Sequence, residues 1–245
     1  MWYIMCVHAC VRHSMDMEPR IRLRGKHPVL EPTKAADDVA RRNKEPAGRL
    51  HVAKEPGVVD QEARGRLLAA GARLSEYNVL SSTELQFGQY RGQTFKWLLE
   101  NAVGWAIGFA KSYHREGVHN VSALGVNKQK LYDYCMASPV IAPAVDFSFR
   151  VEDACRRAKE TGDDGHRLLE FSDYRDWSWR ELFESDKAEH VSFVRNFILP
   201  KSDCQTGSKM DQFRRYCVHR EELRRSGQAG AVGTTAAMPQ SSGRH

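Results

Sequence analysis

Ordered alternation of polar and apolar positions starts at residue 84. Glu84-Leu85-Gln86-Phe87 alternates, and Gly88-Gln89-Tyr90-Arg91-Gly92 then places two glycines around a tyrosine before Gln93-Thr94-Phe95. Alternation broken by glycine predicts a short hairpin, or a strand with a tight turn. Two helices are predicted next, a short one from Phe95 to Glu100 and a longer one from Val103 to Arg115. The longer one carries Trp105, Phe109 and Tyr113 at helical spacing, with Ala106 and Ala110 beside them, a stripe read as core. A third helix, about Asn127 to Met136, turns Leu131 and Tyr134 inward.

The same pattern is written a second time. Phe87 to Glu100 returns 84 residues later as Phe171-Ser172-Asp173-Tyr174-Arg175-Asp176-Trp177-Ser178-Trp179-Arg180-Glu181-Leu182-Phe183-Glu184, and further along Phe109 falls on Phe193 and Tyr113 on Phe197. With the offset reduced to 82, Leu131 to Cys135 falls on Phe213 to Cys217, inside a helix predicted from Lys209 to Arg224. A repeat of this length predicts two copies of one small module. Asn101 and Ser185 share the break between the first two helices of each copy, and both are N-cap types, so each is expected to cap the helix that follows. The second copy lacks both glycines, with Ser172 and Asp176 in their places, which predicts an altered turn because only glycine enters positive φ freely.

The fold expected is α+β and mostly helical: two tandem modules, each a short β element packed on about three helices, between disordered arms. The boundaries are a largely disordered basic arm (1–80), module 1 (81–137), a connector with a helix (138–165), module 2 (166–225) and a disordered tail (226–245). Residues 14–66 mix charge, proline and glycine with few large apolar side chains, the reason disorder is expected there. Within that arm 33–42 reads as a transient helix and Gln61 to Ser75 as a better one, while Ser148 to Lys159 reads as the linking helix of the connector.

Charge adds little to this. Lys and Arg number 37 against 31 acidic residues, a net of +6 with an isoelectric point near 9.0. Most of the excess sits in 18–73, so neither module is expected to grip phosphate by bulk charge. Six scattered cysteines do not make a disulfide framework, which points to a reducing compartment, nucleus or cytoplasm. No apolar run approaches the roughly 18–20 residues a bilayer span needs, so no membrane contact is expected, and the apolar opening 1–10 lacks the basic flank of a signal peptide.

Phosphate-loop, dinucleotide, zinc-protease and serine-elbow motifs are missing from the chain. Cys6, His8, Cys10 and His13 place four metal-ligand types within eight residues, but their spacing matches no common zinc finger, and neither metal nor cofactor is expected. Glu100 and Glu184 hold equivalent positions, either beside the start of a helix dipole or facing water. Tyr90-Arg91 and Tyr174-Arg175 each set an aromatic beside a guanidinium at a turn. That pair suits single-stranded nucleic acid, by stacking and by bidentate contact with phosphate, or else the tyrosine fills the core and the arginine is a solvated turn residue.

Through Phe87-Gly88-Gln89-Tyr90-Arg91-Gly92-Gln93-Thr94-Phe95 and Leu98-Leu99-Glu100-Asn101-Ala102-Val103-Gly104-Trp105 the chain resembles a small module found C-terminal to the nuclease domain of exodeoxyribonuclease X-like proteins. The similarity covers about 30 residues of copy 1. Ala102 stands where that module has Asp, and Trp105 where it has Tyr. The resemblance implies a non-catalytic accessory module that binds nucleic acid or a protein on nucleic acid, with Tyr90, Arg91, Lys96 and Lys111 as contacts. The competing expectations are a protein-interaction scaffold and, behind it, an enzyme with a site between the modules built from Glu100, Glu184 and His114.

Overall fold

Thr33 lies in extended backbone and its Oγ1 accepts a hydrogen bond from the Ala36 N–H, so a helix, α1, starts at Lys34 and runs to Asn43. In the computed structural model, which describes residues 17–44, 52–117 and 120–232, this segment is not the disordered arm its composition predicts. Leu23–Arg24 (β1) and His27–Pro28 (β2) form an antiparallel pair around Gly25, the only β-sheet among the described residues. Ala36 and Val39 are buried in the largest hydrophobic cluster, with Ile21 and Ala40 packed on it. A segment this poor in apolar residues cannot build a core, but it can cover one that the rest of the chain supplies.

The chain divides into two compact units, one ending at Phe149 and one beginning at Arg150. In the first, α2 (Pro56–Ala69) starts on a proline at its first turn and α3 (Glu76–Ser82) on the Ser75 cap. Ala63, Leu67, Ala72 and Val79 join these two around a small cluster of their own. The helix predicted over 61–75 is therefore shifted toward the N-terminus, and Gly71 at φ +64° follows it. Then come α4 (Phe95–Asn101), α5 (Val103–Glu116), α6 (Ala123–Ala137) and α7 (Ile141–Thr161), the last running on into the second unit. Phe95, Leu98, Leu99, Leu131, Tyr134 and Ile141 are completely buried at their centre. Each such side chain contributes about 1.5–3 kcal/mol by leaving water.

The second unit continues through a short 3-10 turn (Asp164–His166), α8 (Trp179–Glu184), α9 (Ala188–Ser192), a π-helical turn (Phe193–Ile198) and α10 (Lys209–Val232). Leu169, Trp179, Leu182, Ile198, Phe213 and Cys217 form its core. Two expectations change here. Where the aromatic stripe predicts one continuous helix, the structure widens into a π turn, and α10 runs past Arg224 through Ser226 and Gly227, residues expected in the tail.

The predicted hairpins are not strands. Each is a compact loop closed by a single bridge, Glu84 to Thr94 and Leu168 to Ser178, too short for a ladder. The expected caps are also displaced. Ala102 holds the N-cap position of α5 without a side-chain bond, while the Asn101 amide donates back to the Trp97 carbonyl. Ser185 accepts from the Lys187 N–H, yet Lys187 is the residue before α9. The residues that do cap are Thr94 over the Trp97 N–H and Ser178 over the Glu181 N–H, and Glu181 returns the bond to complete a capping box.

Cys135 and Cys217 are both completely buried, and burial pushes each thiol up to about 12. A thiol reagent at neutral pH is expected to label Cys155 and Cys204, which are partly exposed, and to spare Cys135 and Cys217 until the protein unfolds. Peptide mapping of the labelled chain checks this. No helix among the described residues is long and apolar enough to cross a membrane.

Candidate functional site

The loop between Thr83 and Phe95 is shaped by its main chain. Leu85 N–H donates to Gln93 O at 2.8 Å, Gly92 N–H to Leu85 O at 2.9 Å and Phe95 N–H to Thr83 O at 2.9 Å. Gly88 at φ +68° and Gly92 at φ +88° let the chain turn that tightly. A Cβ on Gly88 would lie 3.0 Å from the Trp105 ring. These bonds aim Tyr90 inward, where it is 3% exposed with its ring 5.5 Å from Trp105 edge-on and 6.0 Å from Trp97.

Tyr90 is therefore core and has no face on which a base can stack, which corrects the nucleic-acid contact assigned to it. Arg91 is partly exposed beside it. Lys96 is held by Glu100, Nζ to Oε1 at 2.8 Å, and the same carboxylate oxygen accepts from the Arg20 N–H at 2.9 Å. Lys111 stands further along α5, half-buried, and burial together with the neighbouring Arg115 lowers its pKa. Of the four predicted contacts, Tyr90 and Arg91 lie together in the turn, Lys96 follows on α4, and Lys111 belongs to a different helix.

What occupies this face is the N-terminal segment. Asn43 Nδ2 donates to both the Gln89 carbonyl (2.9 Å) and the Arg91 carbonyl (3.0 Å), gripping the turn by its backbone. Thr33 N–H donates to Asn101 O at 2.9 Å, and Thr33 Oγ1 donates to Asn101 Oδ1 at the same distance. Leu30 passes so close to α5 that a Cβ on Gly104 would lie 2.5 Å from its carbonyl oxygen. Glycine at 104 is thus a docking requirement, and Asn101 is spent on the segment instead of on α5. The signal was in the sequence, as Ala36, Val39 and Ala40 at i, i+3 and i+4, but small side chains make a faint stripe.

The loop of the second unit repeats, at the 84-residue offset, the bonds of Leu85 and Phe95 and that of Gln93 N–H to Tyr90 O (3.1 Å), but not that of Gly92. Leu169 N–H donates to Trp177 O at 3.0 Å, Trp179 N–H to Arg167 O at 2.8 Å and Trp177 N–H to Tyr174 O at 3.0 Å. Ser172 takes φ +61° where Gly88 takes +68°, so the turn persists without its glycine, while Asp176 does not adopt the conformation of Gly92. Glu170 is also at positive φ, tied by its carboxylate to Lys209 at 2.7 Å. Tyr174 is half-buried against His190 and Phe193, each 4.9 Å away. His190 is 3% exposed, and its Nδ1 shares a hydrogen bond of 2.8 Å with Ser185 Oγ. Left-handed backbone costs a non-glycine residue about 1–2 kcal/mol. Ser172→Gly is accordingly expected to stabilise unit 2 by about 0.5–1 kcal/mol, after loss of the Ser172 Oγ bond to the Tyr174 N–H, read as a rise in denaturant midpoint.

The acids expected of an enzyme are each engaged within their own unit, Glu100 as above and Glu184 with Arg220 at 2.6 Å. His114 is exposed and shares a hydrogen bond with Tyr132 Oη at 2.9 Å. Cys6, His8, Cys10 and His13 lie outside the described residues. Among those described, no group of three or more His, Cys, Asp or Glu is placed to hold a metal ion. Compared with protein-family models, with curated proteins and with solved structures, the chain matches none.

Proposed function

We propose that the chain is two copies of one small module acting as a non-catalytic scaffold that holds peptide segments. The duplication is supported by the turn bonds, the caps Thr94 and Ser178, the positive φ at 88 and 172, and the buried cysteines, all at matching positions. The resemblance to an accessory module of nucleases fits a binding role without chemistry of its own. The observation that carries the scaffold reading is the grip of Asn43 on two main-chain carbonyls of the turn. The segment is also held through its own main chain, Thr33 N–H to Asn101 O, the kind of contact by which proteins hold peptide segments of varied sequence.

The test is to supply that segment in trans. A peptide of residues 17–44 added to a chain starting at residue 52 is expected to bind one to one and raise its melting temperature. A peptide that neither binds nor stabilises would contradict the reading.

A second reading, binding of single-stranded nucleic acid or a protein on it, is favoured by the basic run Arg214, Arg215, Arg220, Arg224 and Arg225 on α10. It predicts salt-sensitive retardation of an oligonucleotide. If Arg91 and Lys96 are the contact, an Arg91→Ala, Lys96→Ala double variant lowers that binding. If α10 is, the variant leaves it intact.

A further inference from the structure

Unit 2 contains a cavity of about 570 Å³ walled by Arg167, Arg215, His219 and Arg220, with Trp179 and Tyr216 from the core side. We infer that this cavity is a binding site for a phosphate group.

Three guanidiniums line it, each tied to one carboxylate, with Arg167 Nη1 also donating to Cys155 Sγ at 4.0 Å. Arg167 Nε donates to Asp164 at 2.6 Å while its guanidinium lies 5.7 Å over the Trp179 ring. Arg215 pairs with Asp211 at 3.0 Å, and Arg220 with Glu184 at 2.6 Å. An arginine has five N–H donors, and one carboxylate contact leaves most of them for a second anion. Such anchoring fixes the fork before the ligand arrives, the arrangement that suits bidentate contact with phosphate oxygens. Of the two carboxylates in the wall, Asp163 is held by Arg180 and Asp164 by Arg167.

Unit 1 has a cavity of similar size, about 590 Å³, whose wall includes Asp60, Glu76 and Asp133 beside Arg64 and Lys130. By the offset of 82, Asp133 stands where Arg215 stands, and Tyr77 covers Tyr134 with rings 5.2 Å apart. The cationic character belongs to the second cavity, and the inference is independent of peptide docking on the first unit.

Titration of the full chain with inorganic pyrophosphate at constant ionic strength, followed by calorimetry and melting temperature, tests it. Saturable binding with a raised melting temperature is expected, weakened about tenfold in Arg215→Gln and again in Arg220→Gln. Lys34→Gln, on an exposed helix of the other unit, is expected to bind as the parent does. Arg215 is well exposed, so its loss leaves the fold intact and the comparison stays informative. A short single-stranded oligonucleotide added to the pyrophosphate complex separates the sources. Displacement means the phosphate is taken from a strand, and failure to displace means a free phosphate compound. Absence of saturable pyrophosphate binding, or binding unchanged in both variants, would overturn the inference.

Discussion

Phe213→Ala is expected to cost unit 2 about 3–5 kcal/mol, the usual range for deleting a fully buried aromatic ring. Phe213 is completely buried, with Trp179 at 5.8 Å, Phe171 at 6.4 Å and Tyr216 at 6.4 Å, so the ring touches the turn, the capped helix and its own helix together. A loss of that size is a large part of the roughly 5–15 kcal/mol that holds a domain folded. The two units have separate cores, and Phe213 belongs only to the second. Hydrogen exchange should therefore show unit 2 losing protection while Leu98, Leu99 and Val103 keep theirs. Loss of protection across both units at once would contradict the separation.

Gly104→Leu is expected to release the N-terminal segment and leave α5 in place. The Leu30 carbonyl lies where the new Cβ must go, at 2.5 Å, a distance that real Cβ atoms essentially never show. Leucine favours helix over glycine by close to 1 kcal/mol, so α5 gains in its own right. The cost falls on the contact, about 1–3 kcal/mol of overpacking, and the segment can relieve it only by moving away. The expected signature is faster amide exchange over 29–40 with the α5 amides unchanged. Melting of α5 together with the segment would show that glycine serves the helix and not the docking.

The core of each unit was legible because it rests on large side chains at regular spacing. Trp105, Phe109 and Tyr113 announce α5, and the equivalence of Leu131 and Phe213 points to the helix that closes each unit. The cap pair Thr94 and Ser178 was equally visible, but those positions read as the end of a strand and the capping role was given to Asn101 and Ser185. Hydrogen bonding decided otherwise, since Asn101 answers to Thr33, a partner 68 residues away. Tyr90 shows the same limit. Its neighbour Arg91 suggests a paired contact, and only the turn's backbone bonds determine that the ring points inward.

The folded N-terminal segment was the least legible part. Its apolar residues are few and small, and its attachment uses Asn43, Thr33 and backbone carbonyls, which leave no periodic trace. The π turn at Phe193–Ile198 was hidden too, because a stripe of aromatics at helical spacing does not reveal where a helix widens.

The central claim is that residues 20–43 are held on the first unit as part of its fold. Amide exchange at Thr33, whose N–H is bonded to Asn101 O, measures this in the intact chain. Protection at Thr33 and through Ala36 to Ala40 within about tenfold of that at Leu98 and Ala102 is the predicted result, because one cooperative unit opens together. Exchange at the rate of an unstructured peptide, with Leu98 still protected, would contradict it.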